Sequence, residues 1–202
     1  MKLDRCYVIV DSAAWLKRLL PLGVNFVQLR VKKRSIEEVR QEIAAAKHLC
    51  DAAGARLVIN DYWQCAIDAG CDFVHLGQTD LDTADLPALK KAGVRVGIST
   101  HSHDELERAL ALSPDYVALG PIYPTILKQM PWAPQGLERI TEWKRLVAPI
   151  PLVAIGGLTV ERLPPVFAAG ADSAAVVTDI LRHADPEART REWLASTRES
   201  SR

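Results

Sequence analysis

The sequence has no excess of charge of either sign: 25 Lys and Arg stand against 25 Asp and Glu in 202 residues. Without a basic field there is nothing to draw it to nucleic acid or an anionic membrane, so its partners are expected to be small molecules. It also lacks any apolar run long enough to span a bilayer, and its opening "MKLDRCYVIVDSAAW" breaks a short apolar stretch at Asp11, unlike a secretory signal. These absences predict a cytoplasmic protein. Cys6, Cys50, Cys65 and Cys71 form no C-x-x-C pair, and in a reducing compartment such cysteines are expected as small buried apolar groups. There is no G-x-G-x-x-G turn, which weakens the case for an open doubly wound sheet. No linker, low-complexity run or second domain is visible, so residues 1–202 are expected to form one domain, with a homo-oligomer left possible.

What is present is a regular alternation. Short runs rich in Val, Ile and Leu occur at Cys6 to Val10, Phe26 to Leu29, Leu57 to Ile59, Phe73 to Leu76, Val94 to Ile98, Tyr116 to Leu119, Leu152 to Ile155 and Ala174 to Val177. Between them lie segments with helical spacing. In "SIEEVRQEIAAAKHLCDAAG", Ile36, Val39, Ile43, Ala46, Leu49 and Cys50 share one face, and Ser35 with Glu38 predicts a capping box. "LPALKKAG", "DELERALALS", "TVERLPPVFAAG" and "DPEARTREWLAS" supply four more helices, the last with Asp185 as N-cap before Pro186. Strands apolar on both faces and alternating with helices imply a covered parallel sheet, and eight of them imply closure into a (β/α)8 TIM barrel.

A barrel carries its chemistry at the carboxyl ends of its strands, so the polar residues that follow each apolar run are the candidates. They are Gln28, Arg30 and Lys32, spaced to share one side of an extended chain; Asn60 and Asp61; His75, Gln78 and Asp80; Ser99 to His101; Thr125 and Lys128; Gly156 and Gly157; Val177 and Thr178. Asp61 and Asp80 from neighbouring strands would repel each other unless a cation sat between them, and hard oxygen donors of this kind suit Mg2+. Arg30, Lys32 and Lys128 read as anion clamps. "IGGLT" and "VVTD" fit a phosphate cradle built from backbone N–H groups and a helix N-terminus.

Plainer readings compete. Asp61 also suits an N-cap for "YWQCAIDAG", and Asp80, Asp82 and Asp85 a solvated helix start. Lys33, Arg34 and the Arg-rich tail from Arg189 to Arg202 read as solvent-facing. His101 and His103 lack the third ligand a zinc site needs. Lys32 or Lys128 as a Schiff-base nucleophile competes with the charge clamp.

The stretches "VQLRVK", "VINDYWQCAIDAGCDFVHLGQTDL", "VGISTHSHDELERA", "PDYVALGPIYPTILK", "QGLERI" and "IPLVAIGGLTVERLPPVFAAGADSAAVVTDI" resemble the thiamine-phosphate synthase family, in the family's order and from about Val24 to Ile180. The resemblance implies a (β/α)8 barrel that uses Mg2+ to join hydroxymethylpyrimidine diphosphate to hydroxyethylthiazole phosphate, with release of pyrophosphate. Carried across, it implies that Gln28, Arg30, Lys32 and Asn60 hold the pyrimidine diphosphate, Asp61 and Asp80 the metal, and Lys128 the pyrophosphate. Ser99 would lie by the diphosphate and the pyrimidine, while Thr125, Gly157, Val177 and Thr178 would hold the thiazole phosphate. Ser99, Lys128 and Arg30 would act on the leaving group.

The chain departs from the family at Val31 and Thr79, where Glu is usual, and at Thr178, where Ser is common. The loop "QMPWAPQ" is unusual, and Trp132 in it either caps the substrates or anchors the loop. Competing readings are a thiazole tautomerase acting on thiazole carboxylate phosphate and a silent metabolite-binding protein. Retention of Asp61, Asp80, Thr125 and Lys128 argues against the first, and the intact cationic clamp of Arg30, Lys32 and Lys128 against the second.

Overall fold

The computed structural model describes residues 1–125 and 132–199. Eight parallel strands close into a barrel in chain order: β1 (Cys6–Val10), β2 (Phe26–Leu29), β3 (Arg56–Asn60), β4 (Phe73–Leu76), β5 (Arg95–Thr100), β6 (Tyr116–Leu119), β7 (Leu152–Ile155) and β8 (Ser173–Val176). Closure is made by β1 on β8, with Cys6 opposite Ala174 and Val8 opposite Val176. Helices follow the strands: α1 (Ala13–Leu19), α2 (Ile36–Ala53), α3 (Trp63–Asp68), α4 (Leu86–Lys91), α5 (His103–Ala111), α6 (Gly136–Val147), α7 (Leu163–Ala168), α8 (Thr178–Leu181) and α9 (Pro186–Glu199). None of the described helices is long and apolar enough to cross a membrane.

Helix α2 illustrates how local sequence sets an element. The Ser35 hydroxyl accepts from the Glu38 N–H while the Glu38 carboxylate accepts from the Ser35 N–H, so both ends of the capping box are made. Val39, Ile43, Ala46 and Cys50 are buried, but Ile36, in the first turn, is 55% exposed. All four cysteines are buried and free. Burial pushes the Cys6 thiol up to about 12 and the Cys50 and Cys71 thiols to about 11, so they remain protonated and inert.

The core has two parts. The larger lies between strands and helices and is mostly aliphatic, with Trp143, Phe167 and Trp193 among its members; the smaller fills the barrel and contains Tyr7, Phe26, Phe73 and Tyr116. Tyr7 stacks on Phe26 with ring centroids 3.9 Å apart, and Phe73 lies 5.6 Å from Tyr116. Each fully buried large side chain of this kind contributes about 1.5–3 kcal/mol. This aromatic floor depends on a glycine. Gly97 of β5 lies between His75 of β4 and Tyr116 of β6 in register, and a Cβ on it would fall 2.1 Å from the Tyr116 ring. Its missing side chain is what lets the Tyr116 ring lie flat against His75, at 5.6 Å and 14°.

The structure corrects the expectation for one end of the tail. Arg189 is not solvent-facing: its side chain is 11% exposed and pairs with Asp179, Glu161 and Glu192. Lys33 and Arg34 are exposed, as expected.

Candidate active site

One cavity of about 480 Å³ opens at the carboxyl ends of the strands. Gln28, Arg30, Lys32, Asn60, Asp61, Asp80, Ser99, Thr125, Gly157, Val177 and Thr178 all line it. Lys128 lies outside the described residues.

The wall built by β2 to β4 is charged. After β3 the backbone turns left-handed at Asp61, φ +63°, a conformation that Asp adopts more readily than most residues. There its carboxylate pairs with Lys32 from the β2 loop. It caps nothing: α3 has Tyr62 as its N-cap, with no side-chain cap bond. Asp80 closes its own loop by accepting the Gly77 N–H at 3.0 Å. Burial first, and then the neighbouring Asp61 charge, hold the Asp80 carboxyl above its ordinary range, with Lys32 opposing. Two carboxylates and a lysine therefore share one small volume.

Beside them, Asn60 is 5% exposed and its Nδ2 is buried without a hydrogen-bond partner among the described residues. A buried donor left in that state costs about 1–3 kcal/mol, and an acceptor on a ligand in the cavity would satisfy it.

A second set of residues runs from floor to mouth. Gln28 Nε2 donates to the Tyr7 hydroxyl at 2.8 Å, and the Tyr7 and Tyr116 hydroxyls are 3.0 Å apart. His75 Nδ1 is 2.7 Å from the Tyr116 hydroxyl, and His75 Nε2 is 2.7 Å from Ser99 Oγ. Burial lowers the His75 imidazole to about 4, so the ring is neutral with one proton. Because Tyr7 already accepts from Gln28 and is 1% exposed, its own proton needs an acceptor, which Tyr116 supplies. Tyr116 then donates to His75 Nδ1, and His75 Nε2–H donates to Ser99. Ser99 keeps its hydroxyl proton for something else in the cavity. His75 was visible in sequence as a rim residue, but Tyr7 and Tyr116 were hidden inside strands, where their hydroxyls gave no signal.

The opposite wall is backbone. Gly156 and Gly157 have φ +97° and +65°, and a Cβ on either would meet Pro121 Cα at 2.7 Å or the Pro124 carbonyl at 2.5 Å. Only glycine lets the β6 loop, which carries Thr125, lie this closely on the β7 loop. Ile122 N–H donates to the Ile155 carbonyl and Tyr123 N–H to the Gly156 carbonyl, 2.9 and 3.0 Å. Val177, expected at the end of a strand, is instead the N-cap of α8, and α8 is only four residues long. So short a helix brings little macrodipole, and the wall's capacity for an anion rests on backbone N–H groups and the Thr178 hydroxyl.

At the mouth, His101 Nδ1 pairs with Glu105 at 2.8 Å and its ring stacks on Trp132 at 5.8 Å and 7°. His103 instead faces Glu142, so the two histidines do not share a ligand position. Among the described residues no three His, Cys, Asp or Glu side chains come together as a metal-binding group.

A parallel eight-stranded barrel with an acidic and cationic wall facing a glycine-built wall across one cavity defines a phosphate-handling (β/α)8 enzyme. The chain belongs to the thiamine monophosphate synthase family, a family of transferases, whose model matches residues 6–180. It is 64% identical over 197 residues to the thiamine-phosphate synthase of Rhizobium etli, covering 98% of this chain and 97% of that one. It is 49% identical over 188 residues to that of Enterobacter sp., covering 93% and 89%. The fold matches a thiamine phosphate pyrophosphorylase structure from Pyrococcus furiosus with a TM-score of 0.87 at 24% identity, over 98% and 96% of the two chains.

Proposed function

We propose that this chain joins hydroxymethylpyrimidine diphosphate to hydroxyethylthiazole phosphate, giving thiamine monophosphate and pyrophosphate, in the cytoplasm. The observation that carries the reading is one cavity with two walls suited to different anions, one of charged side chains and one of backbone. Two phosphorylated substrates brought into line need such an arrangement.

In this reading Arg30 and Lys32 hold the diphosphate, Lys128 joins them, and Asn60 Nδ2 gains its acceptor there. Gln28 fixes the pyrimidine, while Thr125, Gly157, Val177 and Thr178 hold the thiazole phosphate. The C–O bond between the pyrimidine methylene and the diphosphate breaks, and its electron pair leaves with the diphosphate oxygen. The thiazole nitrogen lone pair then forms the C–N bond, so no side-chain nucleophile or redox partner is needed. Ser99 donates its free hydroxyl proton as a hydrogen bond to the leaving diphosphate, a role the His75 tautomer leaves open. The aromatic floor closes the inner end of the cavity to water, and the Trp132 and His101 stack lines its mouth.

Asp61 and Asp80 are the residues that would hold Mg2+. They fit it: both donors are hard oxygens, and the Asp80 carboxyl is held up first by burial and then by the Asp61 charge, both of which a divalent cation between them would offset. Two carboxylates also suffice, since Mg2+ usually takes its other positions from water and substrate phosphate. When bound, it supplies neutralising charge to the departing pyrophosphate.

The test is to incubate the protein with both substrates and assay thiamine monophosphate, with thiazole carboxylate phosphate alone as a parallel arm. Condensation supports the reading; isomerisation of the thiazole carboxylate without condensation overturns it.

A further inference from the structure

Behind the backbone wall of the cavity lies a group of side chains that contributes nothing to the cavity surface. Arg189 of α9 donates from Nε and one terminal nitrogen to the two oxygens of Asp179, at 2.8 and 3.1 Å. Its terminal nitrogens also reach both oxygens of Glu161, at 3.1 and 3.0 Å, and one reaches Glu192 at 2.7 Å. Asp179 takes a further bond from the buried Trp193 indole at 2.6 Å.

The placement of the two main partners is what matters. Asp179 follows Thr178 directly in α8, on the β8 side of the wall. Glu161 lies in a short 3-10 turn, Val160–Arg162, that continues the β7 loop. The next residue, Arg162, bonds the Gly157 carbonyl and lies over the Tyr123 ring at 4.4 Å. Arg162 is not part of the cavity lining while Gly157 and Leu158 are, and because a peptide unit is planar, holding the Gly157 carbonyl fixes the orientation of the Gly157–Leu158 peptide in the wall. The turn thus acts as a lever: one residue grips Arg189 and the next grips Gly157.

We propose that Arg189 is a positioning residue for the phosphate cradle, locking the β7 loop and the start of α8 in one register through Glu161 and Asp179. The two loops leave different strands, and the wall they form has to present donors to one phosphate. A planar guanidinium with five donors can hold two carboxylates in fixed geometry, whereas an ammonium cannot. Arg189 is 11% exposed and Asp179 14%, so that pair is little screened by water, while the Glu161 arm reaches out to a carboxylate that is 69% exposed. The lowering of the Glu161 carboxyl to about 2 by Arg189 agrees with a grip that persists at any pH the enzyme meets. An arginine serving only to dock α9 would need none of its bonds to reach the β7 loop.

The inference rests on the reading of this wall as the thiazole phosphate site, and its test separates the two. Hydroxyethylthiazole phosphate and inorganic phosphate would be titrated calorimetrically into the wild-type protein, Glu161→Gln and Arg189→Lys, and both Michaelis constants measured. Glu161→Gln is the decisive variant, because the side chain is 69% exposed and the change leaves the Arg189 bonds to Asp179 and Glu192 in place, and its melting temperature would be measured beside wild type. Affinity for the thiazole phosphate is expected to fall about tenfold in both variants, with the Michaelis constant for the pyrimidine diphosphate within about twofold of wild type. A wild-type protein that binds the thiazole phosphate but makes no product would defeat the proposed reaction and leave the calorimetric comparison valid. Unchanged affinity in Glu161→Gln, equal losses for both substrates, or no binding by the wild type would each overturn the positioning role.

Discussion

His75 links Tyr116 to Ser99, with one ring nitrogen 2.7 Å from each hydroxyl. The floor of the barrel thereby sets the hydrogen-bonding state of a residue at its mouth. Replacing His75 with Phe keeps the ring volume and cuts the chain. It is expected to cost about 1–3 kcal/mol, because the buried Tyr116 proton loses its acceptor. Turnover should fall at least about tenfold, because Ser99 is then free to rotate. Chemical denaturation and steady-state assays would check the pair; loss of stability with full turnover would remove Ser99 from the mechanism.

The same histidine sets a pH dependence. Its folded value is about 4 against an ordinary 6.5, so below 6.5 the unfolded chain binds a proton that the folded one refuses. Its contribution is therefore complete above about pH 6.5, declines as pH falls, and is lost by about pH 4, a change on the order of 3 kcal/mol. His75→Gln should flatten that part of the stability profile relative to wild type. Parallel profiles between pH 6.5 and 4 would contradict the assignment.

Gly97 and Tyr116 should behave as one unit. Gly97→Ala puts a methyl into the space of a fully buried ring and is expected to destabilise by about 1–3 kcal/mol or more. In the background of Tyr116→Ala the same change should cost much less, which a double-mutant cycle reads directly. Additive costs would mean that the two positions do not compete for that space.

Asn60→Ala removes the unpartnered Nδ2 and tests what it is for. Stability should hold or rise by about 1 kcal/mol, since an unpaired buried donor is removed and only side-chain packing is lost, while the Michaelis constant for the pyrimidine diphosphate rises. A large loss of melting temperature with an unchanged Michaelis constant would make Asn60 a structural residue.

Much of this was legible in the sequence because each strand of a (β/α)8 barrel announces itself twice, by its apolar run and by the polar residues that follow. Asn60 and Asp61 at the end of β3, and Gly156 and Gly157 after β7, were placed at the rim by sequence alone. Residues whose importance comes from partners distant in the chain were not legible. Tyr7 and Tyr116 read as strand aromatics, yet their hydroxyls meet across 109 positions. Arg189 read as one more surface arginine, because nothing local reveals that Asp179 and Glu161 converge on it. Ile36 fitted the helical period but is 55% exposed, since period alone does not locate the edge of a core.

Asp61 and Asp80 carry the central claim, and the most direct measurement is pyrophosphate release from the two substrates as Mg2+ is titrated, for wild type and Asp61→Asn. Asn keeps the left-handed turn and removes only the charge. Release should depend on Mg2+, disappear in chelator, and fall about 10²-fold in Asp61→Asn without loss of melting temperature. Equal release with and without chelator, or an Asp61→Asn protein as fast as wild type, would contradict it.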